Sequence, residues 1–170
     1  QPILPTLTRY LMSTKPHYLL KLFRQMSDKP LGKALFSKAV CLKAPYFGSI
    51  SPTVEVLDVG HCEVRVKNTR KVQNHIKSLH AIAMCNMAEF AGGVMTEVSV
   101  PADMRWIPKG MTVQYLKPLR SKTALGVCKL PQAPHSSATG YDLICPVDVT
   151  DEAGVVCFHA DITMWITPKK

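Results

Sequence analysis

Three polar residues interrupt the most apolar stretch of the chain. They are Asn74, His80 and Glu89, spaced Asn-x5-His-x8-Glu within residues 74–97. From residue 79 to residue 95 only His80, Asn86 and Glu89 break a run of apolar and small side chains, and Glu89 is its sole charge. A lone carboxylate in apolar surroundings is costly unless it is paired, hydrogen-bonded or protonated. Desolvated, it is also a competent general base for water, or a nucleophile at a carbonyl. The competing reading is a structural acid held by backbone donors or by a lysine across an interface. Asn74 can donate its amide to a carbonyl or to a water. Asn86, one turn before Glu89, is placed to hydrogen-bond it.

Other chemistries find little support. The six cysteines, at 41, 62, 85, 128, 145 and 157, form no CxxC pair, and a structural zinc site needs such spacing. His75 and His80 lie five apart, so they do not share a helix face as metal ligands. No metal and no cofactor are expected. The cysteines in apolar runs read as small buried hydrophobes with reduced thiols.

The elements that position these residues follow from periodicity. Residues 79–95 lack proline and are rich in Ala, Met and Leu, which suits a helix, with Ser78 as its expected N-cap. Apolar residues cover both faces of the wheel, Ala83, Met87, Phe90 and Val94 on one and Met84, Ala88, Ala91 and Met95 on the next. Such a helix is expected to be buried all round. Gly92 and Gly93 would admit a close backbone neighbour. Residues 4–44 read as two or three short helices, one with the stripe Tyr18, Leu19, Leu22, Phe23 and Met26. From residue 51 the period becomes two. A strand pair turns at Gly60, and a basic link over 68–77 leads into the central helix. Strands then follow over 104–107 and 111–119, with an interruption at Pro108-Lys109-Gly110, and over 122–130, 141–150 and 155–166. Asp151-Glu152-Ala153-Gly154 marks a hairpin.

The fold class is therefore α+β: a curved antiparallel sheet wrapped around one long central helix, with an N-terminal helical extension. The extension is residues 1–45 and the main domain residues 46–170. A helix apolar on both faces needs cover, and a curved sheet supplies it. Its open edges are managed by pairing with a second copy.

Composition, 46% hydrophobic and 19% charged, is that of a globular protein. The apolar run is short for a membrane span and carries Glu89, Asn86 and two glycines. Net charge is +9. Residues 1–45 hold eight Lys and Arg against Asp28 alone. That segment either is a solvated helical face or makes peripheral contact with an anionic membrane. The charge shows no aromatic interleaving, so nucleic acid is not expected as a partner. No secretory signal is visible. The acid-poor, basic start is similar to an organelle transit peptide, which leaves cytoplasmic and organellar placements both open.

With the triplet and its setting in view, the sequence resembles the hotdog-fold acyl-CoA thioesterases of the phenylacetyl-CoA and 4-hydroxybenzoyl-CoA type. There an amide residue, a His-Gly or His-Ala pair and a helical Asp or Glu recur at matching offsets. The segment HAIAMCNMAEFAGG is similar to the subfamily with Ala-Glu on the helix. The basic N-terminus and Arg105-Trp106-Ile107-Pro108-Lys109-Gly110 look like the DUF4442 branch. The resemblance covers roughly residues 46–170. It implies hydrolysis of a coenzyme A thioester, with Glu89 as base or nucleophile. The N–H of Ala81, at the positive end of the helix, would be the oxyanion donor. Asn74 would be the amide, and His80 would orient the loop or the thioester oxygen. It also implies a homodimer or homotetramer whose site is shared. On one helix His80 and Glu89 stand some 13 Å apart, at about 1.5 Å per residue. Two departures stand out: Ala81 replaces the usual Gly, and Gly93 replaces a Thr one turn after Glu89. A non-catalytic acyl-binding or membrane-associated protein of the same fold is the alternative. A dehydratase is disfavoured by the spacing. Lys117, Arg120 and Lys122 either meet coenzyme A phosphates or line a solvated loop.

Overall fold

The computed structural model describes residues 16–170. The part of the expected N-terminal helices before residue 16 lies outside it.

Two helices come first. α1 (Tyr18–Ser27) starts at His17, whose Nδ1 accepts the Leu19 N–H at 3.3 Å. Its buried side chains are Leu20 and Phe23, while Tyr18 from the expected stripe faces solvent. α2 (Gly32–Lys43) buries Phe36, whose ring meets Phe23 edge-on at 5.1 Å. Gly32 is required at this turn, because a Cβ there would fall 1.7 Å from the Met26 carbonyl oxygen. A 3₁₀ turn over Pro45–Ile50 then leads into the sheet.

The sheet has six antiparallel strands: β1 (Thr53–Asp58), β2 (His61–Lys67), β3 (Met104–Tyr115), β4 (Thr123–Lys129), β5 (Tyr141–Thr150) and β6 (Val156–Pro168). Their order is β1-β2-β4-β5-β6-β3. Both expected hairpins form, at Gly60 and Gly154, each with the positive φ that suits glycine. One expectation is corrected. Pro108-Lys109-Gly110 does not interrupt β3, because the register shifts by one residue against β6 and the strand continues. This is a β-bulge at an edge, where proline's missing N–H is tolerated.

The central helix, α3 (Ala81–Ser99), lies against the sheet's concave face. Met87, Ala88, Phe90, Ala91 and Met95 are sealed from solvent with Phe158, Ala160, Ile162, Met164 and Ile166 of β6. Leu20, Phe23 and Phe36 of the N-terminal helices join the same core. This is the expected architecture, a curved antiparallel sheet around a long helix.

Two details of α3 differ from expectation. The N-cap is His80, whose Nδ1 accepts the Ile82 N–H at 3.1 Å, and not Ser78. The helix is also not buried all round. Ala81, Ile82, Cys85, Glu89, Gly93 and Glu97 form one stripe that stays exposed or half-buried. The sheet ends at β3, and among the described residues Trp106 and His17 reach over part of this stripe, at Gly93 and Glu97. Gly92 and Gly93 admit side chains, not a backbone: a Cβ would meet Ile162 Cδ1 at 3.1 Å and the Trp106 ring at 3.4 Å, respectively.

Candidate functional site

β3 runs alongside the open stripe of α3 in the opposite direction. At one end Trp106 Nε1 donates to Glu97 at 2.7 Å. In the middle Glu89 shares a cleft of about 270 Å³ with Pro108, Lys109, Gly110, Met111 and Ile162. At the other end Cys85 Sγ lies 3.6 Å from the Tyr115 hydroxyl. The bulge thus bends the edge strand beside the carboxylate.

Glu89 is half-buried and, among the described residues, makes no hydrogen bond or ion pair. The acid that is paired on this helix is Glu97, held by Trp106 and by His17 at 3.4 Å. Asn86 does not reach Glu89: its Nδ2 donates to Ser49 Oγ at 3.0 Å, and its Oδ1 is buried without a partner. Asn86 lies one turn from Glu89, but its amide is engaged by the 3₁₀ turn through Ser49.

The start of α3 forms a second cleft, about 240 Å³, lined by Asn74, Ser78, Ala81, Met84, Tyr115 and Lys117 among others. The Ala81 N–H, at the first helical position, has no backbone acceptor among the described residues. It is an orphan donor at the positive end of the helix dipole. Asn74 is committed to its own loop. Its Nδ2 donates to Ser78 Oγ at 2.8 Å, and its Oδ1 accepts the Ile76 and Ser78 N–H groups at 3.1 Å each. This bracing explains why Ser78 is not the cap. His80 is exposed, and its ring nitrogen is spent on capping the helix.

The structure therefore brings Asn74 and Ala81 together in one cleft and places Glu89 in another. The two clefts share no lining residue. Sequence reasoning missed Tyr115, which borders the Ala81 cleft and contacts Cys85. Its phenol is pushed above its ordinary value, chiefly by the hydrogen bond with Cys85. The signal was present as an aromatic residue in an alternating strand, but only the pairing of β3 beside α3 gives it a place.

The cysteine cluster of the sheet is inert by comparison. Cys62, Cys128 and Cys145 are buried and free. Burial raises the Cys62 thiol, and the contact with Cys145 raises Cys128 while lowering its partner. Among the described residues, no three His, Cys, Asp or Glu side chains gather as metal ligands. No described helix is long and apolar enough to cross a membrane.

Comparison with known proteins sets this geometry in a family. A family model described as a domain of unknown function, DUF4442, matches residues 32–166. The chain belongs to the DUF4442 family. A crystal structure of a structural-genomics target is 35% identical, covers 90% of this chain and 100% of its own, and superposes with a TM-score of 0.77. A Pseudomonas aeruginosa protein of unknown function, described as a "probable thioesterase", is 21% identical over 83% of this chain and 97% of its own, with a TM-score of 0.68. A Haemophilus influenzae thioesterase is 12% identical over 76% of this chain and 87% of its own, with a TM-score of 0.65. At those last two identities the likeness is one of fold, and the fold is the hotdog. A search among curated proteins returned no match.

Proposed function

We propose that this DUF4442 protein is a thioesterase that hydrolyses an acyl-CoA. In this reading Glu89 acts as general base on water or as nucleophile. The Ala81 N–H stabilises the oxyanion, and each site is shared between two copies of the chain. One observation carries the reading: Glu89 is an unpartnered, half-buried carboxylate facing the open edge of the sheet. The names of the Pseudomonas and Haemophilus neighbours support the reaction class.

Sharing follows from reach. Within one chain Glu89 and the Ala81 N–H open into different clefts. β3 is an edge with no further strand paired to it among the described residues, and Ile107, Met111 and Tyr115 on it are exposed. A second copy paired there buries those side chains and brings its own α3 beside Glu89. In the reaction, water attacks the thioester carbonyl carbon as Glu89 takes its proton. The oxygen gains negative charge against the Ala81 N–H, and the C–S bond then breaks as the proton on Glu89 passes to the sulfur, which releases the thiol and the carboxylic acid and restores the carboxylate. Asn74 and His80 act here as positioning residues, which hold the helix start.

A second reading keeps acyl-CoA binding without turnover. Gly93 favours it: the Trp106 ring packs over the place where related enzymes carry a water-positioning hydroxyl. Thiol release from an acyl-CoA panel, wild type beside Glu89→Gln, decides between them. Turnover by wild type that falls about a hundredfold or more in Glu89→Gln supports hydrolysis. Near-normal turnover in a folded Glu89→Gln protein refutes the assignment. Binding of a non-hydrolysable acyl-CoA without any turnover by wild type selects the second reading.

A further inference from the structure

The outward face of α2 carries large apolar side chains that stand exposed among the described residues. Leu31 is 78% exposed, Leu35 55%, Leu42 83% and Tyr46 73%. At 100° per residue, Leu31, Leu35, Lys38 and Leu42 fall within an arc of about 60°. The core-facing side chain, Phe36, points away from it. Single exposed leucines need no explanation, but a contiguous row of them does.

Leu31 is the most telling member. Its φ of +60° is the left-handed conformation that suits Gly or Asn, and its side chain stands in solvent. Neither local conformation nor core packing favours leucine there.

Charge identifies what covers the row. Lys29 and Lys38, beside it in the chain, make no ion pair among the described residues, and there Lys43 contacts Tyr18. The helix carries no acid. Lys38 also lines a cleft of about 410 Å³ with Lys67 and Lys71, and with Arg65, which is paired to Glu55; Lys67 and Lys71 extend the positive field along this side. Two other occupants fail on charge. A second copy of the face would bring the same lysines into contact. Residues 1–15 carry Arg9 and Lys15 and no acid.

We propose that this face of α2 docks on an anionic phospholipid bilayer, with Leu31, Leu35, Leu42 and Tyr46 in the headgroup region and the lysines among the phosphates. Apolar insertion combined with a lysine rim is the physics of an interfacial helix. The inference does not rest on the thioesterase reading.

Vesicle sedimentation of the full chain tests it. Wild type should partition onto phosphatidylserine–phosphatidylcholine vesicles about tenfold more strongly than onto phosphatidylcholine alone, and salt should weaken the binding. Leu35→Ser with Leu42→Ser alters only exposed side chains. It should lower binding about tenfold or more while the melting temperature and acyl-CoA turnover stay unchanged. Leu42→Trp adds a second readout, its emission taken as the difference from wild type with its Trp106 and Trp165: red-shifted in buffer, moving blue and quenched by brominated anionic lipid. Failure of wild type to bind anionic vesicles, or equal binding by the serine variant, overturns the proposal. Blue emission of Leu42→Trp without lipid overturns it too, by showing that protein covers the face. A change in molar mass of the serine variant in buffer would assign that cover to a second copy.

Discussion

Ala81→Pro separates the oxyanion role from every structural role of that residue. Ala81 is the first residue of α3, after the N-cap His80. Proline is over-represented at this position, since its fixed φ suits the helix and its missing N–H removes no helical bond. The residue before a proline must be extended, and His80 already is, at φ −63° and ψ 139°. The Ala81 N–H has no backbone acceptor among the described residues, so its removal breaks no bond there. The melting temperature should therefore hold or rise slightly. Activity should not hold: loss of one oxyanion donor costs about 10²–10³ in kcat, roughly 2.7–4 kcal/mol. Thiol release under saturating acyl-CoA measures it, with Ala81→Ser, which keeps the N–H, as the control. Near-wild-type turnover by a folded Ala81→Pro protein, on a substrate that wild type hydrolyses, would remove Ala81 from the chemistry.

Other outcomes follow from the same geometry. Mixing Ala81→Pro with Glu89→Gln subunits should restore activity in a fraction of heterodimers, each of which holds one intact site; no recovery after subunit exchange counts against a shared site. Light scattering at micromolar concentration should give at least a dimer, and a monomer would contradict pairing through β3. Phe90→Ala, in a fully buried ring 5.2 Å from Phe47, should lower unfolding stability by about 3–5 kcal/mol at unchanged m-value in urea. His159 is held above its ordinary value mainly by the hydrogen bond to Asp148 at 2.7 Å. A raised folded value means that its stabilisation is complete below about pH 6.5 and fades as pH rises through the folded value. The gap in melting temperature between wild type and His159→Gln should thus shrink from acid to alkaline buffer. Its size should be within about 1 kcal/mol, as for an exposed pair.

Much of the fold was legible because burial leaves a period in the sequence. The alternation in 156–166 became β6 with Phe158, Ala160, Ile162, Met164 and Ile166 sealed inside, and the 79–95 run became the central helix. The failures share a cause. Pro108-Lys109-Gly110 reads locally as a break, but the pairing of eleven neighbouring positions with β6 carries the strand through as a bulge. Ser78 reads locally as a cap, but it is claimed by Asn74, four residues back. Long-range strand pairing overrode the local signal at the first place, and a competing local loop contact overrode it at the second. Glu89 was legible as an isolated charge. Tyr115 was not, because its neighbour Cys85 lies thirty residues away in the chain.

The wheel of α3 misled in an informative way. Apolar residues on both faces predicted burial on all sides, yet one stripe remains open, and it holds Ile82, Cys85, Glu89, Gly93 and Glu97. A helix does not keep Ile82 and Cys85 beside water for its own stability. Next to that stripe, β3 ends the sheet with no further strand paired to it among the described residues, and it leaves Ile107 and Met111 exposed. Natural edges are protected by short strands, charges or bulges. Here the strand is twelve residues long, and its one bulge lies opposite Glu89. In the proposed dimer, the half-open helix face and the sheet edge beside it would be two halves of one interface. The residue at their junction is Glu89, which has no partner among the described residues. Covering that junction with a second copy would extend the sheet, bury the stripe and desolvate Glu89 in a single step. On this account dimerisation and catalytic competence rise together with protein concentration. Specific activity that stayed constant on dilution through the dissociation of the dimer would break that link.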